Sequence, residues 1–120
     1  MKSPYLERAK HALQDLDADT IVSVYAEPFL FEDIPSDQKI VNIEDLRAYF
    51  QALFALPNVA FSDIKAYESE EFAVLEWTWS GTNRSSGEAY KVRGASVIEL
   101  RNGRLARETI YYDPRLPATA

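Results

Sequence analysis

Cysteine is absent from this 120-residue chain, and histidine occurs once, at His11. The first absence excludes disulfides, thiolate catalysis, Cys-ligated zinc and iron–sulfur clusters. The second excludes a histidine dyad or a His-rich metal site. No apolar run approaches the ~20 residues a membrane-spanning helix needs. Basic charge is scarce: 13 Lys and Arg stand against 19 Asp and Glu, for a net charge of −6 and a pI near 4.8. The basic residues are scattered, so neither nucleic acid nor an anionic membrane surface is an expected partner. Met1-Lys2-Ser3-Pro4 leads into a charged segment rather than an apolar signal, and a cytoplasmic protein is expected.

Aromatic and aliphatic residues are plentiful. The chain is 47% hydrophobic, with 6 Phe, 7 Tyr and 2 Trp. That is enough for one core and a lined cavity within a single domain spanning residues 1–120. No repeat, low-complexity tract or linker divides it.

Ser3 and Pro4 suit the cap and first position of a helix running from about residue 4 to 16, with Leu6, Ala9, Leu13 and Leu16 on its buried stripe. His11 falls opposite that stripe, in water. Asp17 or Asp19 caps a second helix, which carries Ile21, Val24 and Tyr25 and ends at Pro28. A short strand follows. Residues 34–39 read as a loop. Asn42 with Asp45 resembles a capping box for a third helix, where Leu46, Tyr49, Phe50 and Leu53 recur until Pro57.

Strand patterns then take over, at Val59–Tyr67, Phe72–Ser80, Tyr90–Leu100 and Leu105–Asp113. The imperfect alternation of the first predicts a bulge. Asn102-Gly103 is a two-residue hairpin turn. Gly94 interrupts a strand of larger residues, where it eases a sharp curl of the sheet. The order α-α-β-α-β-β-β-β predicts an α+β domain with helices packed on one face of a curved, mainly antiparallel sheet.

The segment 29–33 stands out chemically. Phe29, Phe31 and Asp33 alternate and so share one face of a strand. Two phenylalanines bound for the core take the aspartate inward with them. A carboxylate there is costly unless paired, hydrogen-bonded or neutralised, which makes Asp33 a candidate general base. The plain alternative is a turn aspartate before Pro35. By simple alternation from Leu105, the face of the last strand carries Tyr111 and Asp113. Both are candidates for acid–base work, against an Asp-Pro turn that merely ends the strand. Trp77 and Trp79 share a face with Ala73 and Leu75, as pocket wall, as filled core or as interface. Tyr25, Tyr49, Tyr90, Tyr111 and Tyr112 offer hydroxyl donors for an anionic intermediate, against the plain reading that each satisfies its hydroxyl locally, and Phe50 adds a further ring.

Tyr25-Ala26-Glu27, Phe31-Glu32-Asp33, the segment Leu46 to Phe50, and the closing run from Val97 to Leu105 with Tyr111-Tyr112-Asp113 together resemble the SnoaL-like family of the nuclear transport factor 2-like superfamily. The resemblance covers nearly the whole chain. It implies a cone-shaped α+β barrel, with three N-terminal helices on a strongly curved sheet around a pocket. It also implies a homodimer through the outer sheet face, and a small apolar or aromatic ligand handled without metal or cofactor. Isomerisation, cyclisation or dehydration of a compact carbonyl compound is the implied chemistry, with a non-catalytic ligand-binding or dimerisation module as the alternative.

Asp33 matches the catalytic base of the ketosteroid isomerases. Their oxyanion-binding tyrosine falls at Ala9, and their second acid near Ala95 or Ser96. The Arg and Asp of limonene epoxide hydrolases fall at Trp77 and Trp79. Steroid isomerisation and epoxide hydrolysis are therefore disfavoured. Asp113 is the match for the acid/base residue on the last strand of SnoaL-type cyclases. Phe29, Phe31, Tyr25, Tyr49, Phe50, Trp77 and Trp79 are the expected pocket wall.

Overall fold

A computed structural model describes residues 3–115. Three helices open on side-chain caps. In α1 (Pro4–Asp15) the Ser3 hydroxyl accepts from the Leu6 N–H; in α2 (Ala18–Val22) Asp17 accepts from Thr20; in α3 (Ile43–Phe54) Asn42 accepts from Asp45. Each cap satisfies a backbone donor that the first helical turn leaves free. The buried faces of α1 and α3 carry Leu6, Ala9, Leu13, Leu46 and Phe50.

Six strands form one sheet: β1 (Tyr25–Asp33), β2 (Gln38–Ile40), β3 (Ala60–Glu68), β4 (Phe72–Thr82), β5 (Ala89–Arg101) and β6 (Arg104–Tyr112). Their spatial order is β2-β1-β6-β5-β4-β3. β1 and β6 run parallel and every other neighbouring pair is antiparallel. The result is the expected α+β architecture, helices against a curved, mostly antiparallel sheet. Asn102 and Gly103 both take positive φ, the geometry a two-residue turn between twisted strands requires.

Two boundaries differ from the sequence expectation. The second helix ends at Val22, not at Pro28, because Val24 and Tyr25 already pair with Leu105 of β6. Pro28 instead sits inside β1, exposed, where the register slips between Tyr25 and Leu30 and no ladder donor is needed. The end of the predicted loop, Gln38 and Lys39, forms the strand β2 together with Ile40, paired with residues 31–33 of β1. Three residues are too few to display alternation.

Two bulges set which side chains face inward. In β3 the register slips between Ser62 and Lys65, where Asp63 has φ +49°, in line with the broken alternation there. In β6 the register slips opposite Glu99 and Leu100, so that one extra residue lies between Leu105 and Arg107. This bulge exchanges the faces of β6. Leu105 points into the core, and so do Glu108 and Ile110 rather than Arg107 and Tyr111.

Candidate active site

A cavity of about 310 Å³ lies between the sheet and the helices. All three helices and all six strands contribute to its wall. Exposed residues among its lining, Ser36, Gln38 and Ala52, mark the end that meets solvent. The wall is predominantly aromatic and aliphatic. Among the described residues no lysine, arginine or histidine belongs to it.

Asp33, at the end of β1, is 3% exposed and lines this cavity. Three donors hold it. The Tyr49 hydroxyl donates to Oδ2 at 2.6 Å, the Tyr112 hydroxyl donates to the same oxygen at 3.2 Å, and the Ser36 N–H donates to Oδ1 at 3.2 Å. Thus the turn role and the inward placement coexist, one oxygen serving each. Burial, and then the nearby Asp33 charge, push the Tyr49 and Tyr112 hydroxyls well above the usual tyrosine range. Both remain O–H donors at any physiological pH.

A second acid stands in the same wall. Glu108 on β6 is 6% exposed. Burial raises its pKa from the ordinary glutamate value, against the opposing effect of hydrogen bonds from the Tyr25 and Ser96 hydroxyls. Ser96 also accepts from the Trp77 indole N–H at 3.0 Å, which fixes the orientation of that ring. The cavity therefore holds two carboxyls in different environments. One is met by three donors beside the opening; the other is sunk in the interior and biased towards its neutral form.

Of the residues the sequence singled out, Asp33, Tyr25, Phe31, Tyr49, Phe50, Trp77 and Trp79 line the cavity. Phe29 is buried behind them, its ring 5.4 Å from that of Tyr25, and does not reach the lining. The expected inward placement of Tyr111 and Asp113 does not hold. Tyr111 is 49% exposed on the outer face of the sheet. Asp113 lies in solvent, and its ion pair with Arg115 draws its pKa down to about 2. The bulge in β6 is the physical cause, since one added residue sends Tyr112 inward in place of its neighbours.

Ala9 and Ser96 both line the cavity, so the positions matched to the oxyanion donors of ketosteroid isomerases do face it, carrying a methyl and a hydroxyl. Glu108 was missed, and Tyr112, one of five tyrosines offered as donors, was not placed on the inner face. Counting the alternation back from Ile110 rather than forward from Leu105 would have found both. Among the described residues no group of three or more Asp, Glu or His side chains is placed to hold a metal ion.

The fold is shared with solved structures that are distant in sequence. A nuclear transport factor 2-like protein from Burkholderia thailandensis superposes with a TM-score of 0.84 at 19% identity, covering 100% of this chain and 98% of that one. A proposed polyketide cyclase from Pseudomonas putida gives 0.80 at 16% identity, with coverage of 97% and 95%. A protein of ketosteroid isomerase-like fold from Catenulispora acidiphila, solved in complex with trimethylamine, gives 0.80 at 15% identity, with coverage of 94% and 88%. At these identities the likeness establishes the fold. No curated protein matches the sequence. The family model for the SnoaL-like domain, however, matches residues 6–108, from the first buried leucine of α1 to the inner glutamate of β6. That span holds most of the three helices, most of the curled sheet and both acids of the cavity, and the chain belongs to the SnoaL-like domain family.

Proposed function

We propose that the protein is a small-molecule enzyme that moves a proton on a compact, mostly apolar carbonyl compound, in an isomerisation, cyclisation or dehydration that needs no cofactor. The observation that carries this reading is Asp33: a carboxylate 3% exposed, on the wall of an aromatic cavity, held by two tyrosine hydroxyls. Asp33 is the proton acceptor, taking hydrogen from a carbon beside the carbonyl. The carbonyl oxygen gathers negative charge as that proton leaves, and it needs a donor in a place with little water. Glu108, biased by burial towards its neutral form, is the donor the pocket offers. Trp77, Trp79, Phe31 and Phe50 hold the apolar body of the substrate.

The volume of about 310 Å³ suits a small substrate, at the lower end of the range for ligand pockets. The proposed cyclase from P. putida and the trimethylamine complex from C. acidiphila, on the same fold, support a small ligand. Two copies would pair through the outer face of the sheet, where Val97 and Tyr111 are exposed.

Asp33→Asn tests the reading. It keeps size and hydrogen bonding but removes the base, and turnover of a carbonyl substrate should fall by roughly 10²–10⁴-fold with an unchanged circular dichroism spectrum. Unaltered turnover in the folded variant would remove Asp33 from the mechanism and leave a ligand-binding module on the same fold. That second reading is favoured by Ala9, which puts a methyl group where the isomerases carry a donor.

A further inference from the structure

The two acids of the cavity differ from the ion-paired acids elsewhere in the molecule in what faces them. Outside, Glu32 and Glu99 share Arg107, Glu76 meets Arg93, Asp19 meets Arg47, and Asp113 meets Arg115, all within 4.0 Å. Inside, Asp33 and Glu108 have hydrogen-bond donors but no cation: tyrosine hydroxyls and a backbone N–H for the first, tyrosine and serine hydroxyls for the second. A buried carboxylate is ordinarily offset by a positive partner, and the described residues bring none into the cavity.

The two tyrosines that hold Asp33 each lead into a group of packed aromatic rings. On one side Tyr49 packs on Phe31 at 4.9 Å between ring centres. On the other, Tyr112 packs on Trp79 at 5.4 Å and on Trp77 at 6.3 Å. Phe61 packs against both indoles, 6.0 Å from Trp77 and 6.3 Å from Trp79. Aromatic faces carry partial negative charge and attract cations, most strongly where water is excluded.

We infer that the cavity selects ligands bearing a compact organic cation, a protonated or fully alkylated amine on an apolar body, with the positive charge seated against Asp33 and the surrounding ring faces. A carboxylate or phosphate of the same size would meet two carboxyls and no counter-charge, and is rejected. A neutral ligand gains the apolar wall alone. The inference rests on the proposed reading of the cavity as a ligand site and narrows its substrate class. A positive charge near the reacting carbon also makes its hydrogen more acidic, which suits a carboxylate base.

Three probes of nearly equal shape separate charge from size: choline, its neutral carbon isostere 3,3-dimethyl-1-butanol, and the anion 3,3-dimethylbutanoate. Binding to the whole chain is read by the fluorescence of Trp77 and Trp79, which are its two tryptophans and both line the cavity. Saturation-transfer NMR gives an independent reading. Choline should bind at least about tenfold more tightly than the alcohol, and the anion should not bind measurably. In Asp33→Asn the preference for choline should fall severalfold, to what the aromatic rings alone supply, while the alcohol binds as before. If the alcohol binds as tightly as choline, the charge inference is overturned and the pocket reading stands. If neither binds, both fall. The wild-type comparison alone decides these outcomes should the variant fail to fold.

Discussion

Glu108 is the side chain through which pH acts on the interior. Its folded pKa lies above the ordinary glutamate value of 4.5 because burial penalises the charged form. Between 4.5 and that raised value the native state holds a proton that the unfolded chain has lost. The contribution is therefore fully present below about pH 4.5 and is lost as pH rises through the folded pKa, with a slope of at most about 1.4 kcal/mol per pH unit for one group. Glu32 has the opposite sign. Its pKa is lowered, chiefly by the hydrogen bond from Arg107, so its contribution is present above 4.5 and is lost in acid. Urea titrations of wild type and Glu108→Gln across pH 4.5–7 check the first sign: the glutamine variant should gain on wild type as pH rises. Parallel curves would mean that the Glu108 pKa is the same in both states. Asp33 was legible at this scale because the two phenylalanines of its strand leave it no other direction. Glu108 was not, because its own neighbours, Arg107 and Thr109, read as one more polar stretch.

At the scale of elements, the β4–β5 pair shapes the cavity through one missing side chain. Gly94 stands opposite Trp77 in the ladder, and the indole lies across it. The sequence reading made this glycine a means of bending the sheet; the contact adds a packing reason, since a Cβ there would collide with the ring of Trp77. The indole is not free to swing, because its N–H donates to Ser96 and its edge packs against Phe61. Gly94→Ala should therefore push the ring into the cavity and destabilise the fold by about 1–3 kcal/mol, the usual range for overpacking, even though alanine is otherwise the better strand residue. Thermal unfolding measures the loss, and a blunted fluorescence response to bound choline measures the smaller cavity. An unchanged melting temperature would show that Trp77 has room to move. The existence of the three helices and of the four strands after residue 59 was readable from caps, periodicity and the Asn102-Gly103 turn, because each rests on local chemistry. The parallel β1–β6 pairing, the short β2 and the bulge in β6 were not, because each is decided by contacts between segments far apart in sequence.

For the whole molecule, the outer face of the sheet bears on assembly. Val97 and Tyr111 are 46% and 49% exposed there, with Ala95 beside Tyr111 and Val74 beside Val97 in the ladders. The ion pairs Glu76–Arg93 and Glu99–Arg107 flank this apolar strip on neighbouring rungs. An apolar centre with a charged rim is the arrangement of a protein–protein interface, and pairing through it would cover the strip in both copies. Each chain carries a net charge of −6, so two copies repel at long range. Salt screens that repulsion over about 10 Å at 0.1 M and leaves the apolar contact intact. Sedimentation velocity should find a species of about twice the 13.7 kDa chain mass, more fully populated at high salt than at low. Val97→Glu should return it to the monomer while probe binding inside the cavity persists, because the outer and inner faces of β5 are separated by the strand itself. A monomer at every salt concentration would rule out the paired assembly and leave the strip as ordinary exposed sheet. A wild-type dimer that survives Val97→Glu would move the interface to another face of the molecule.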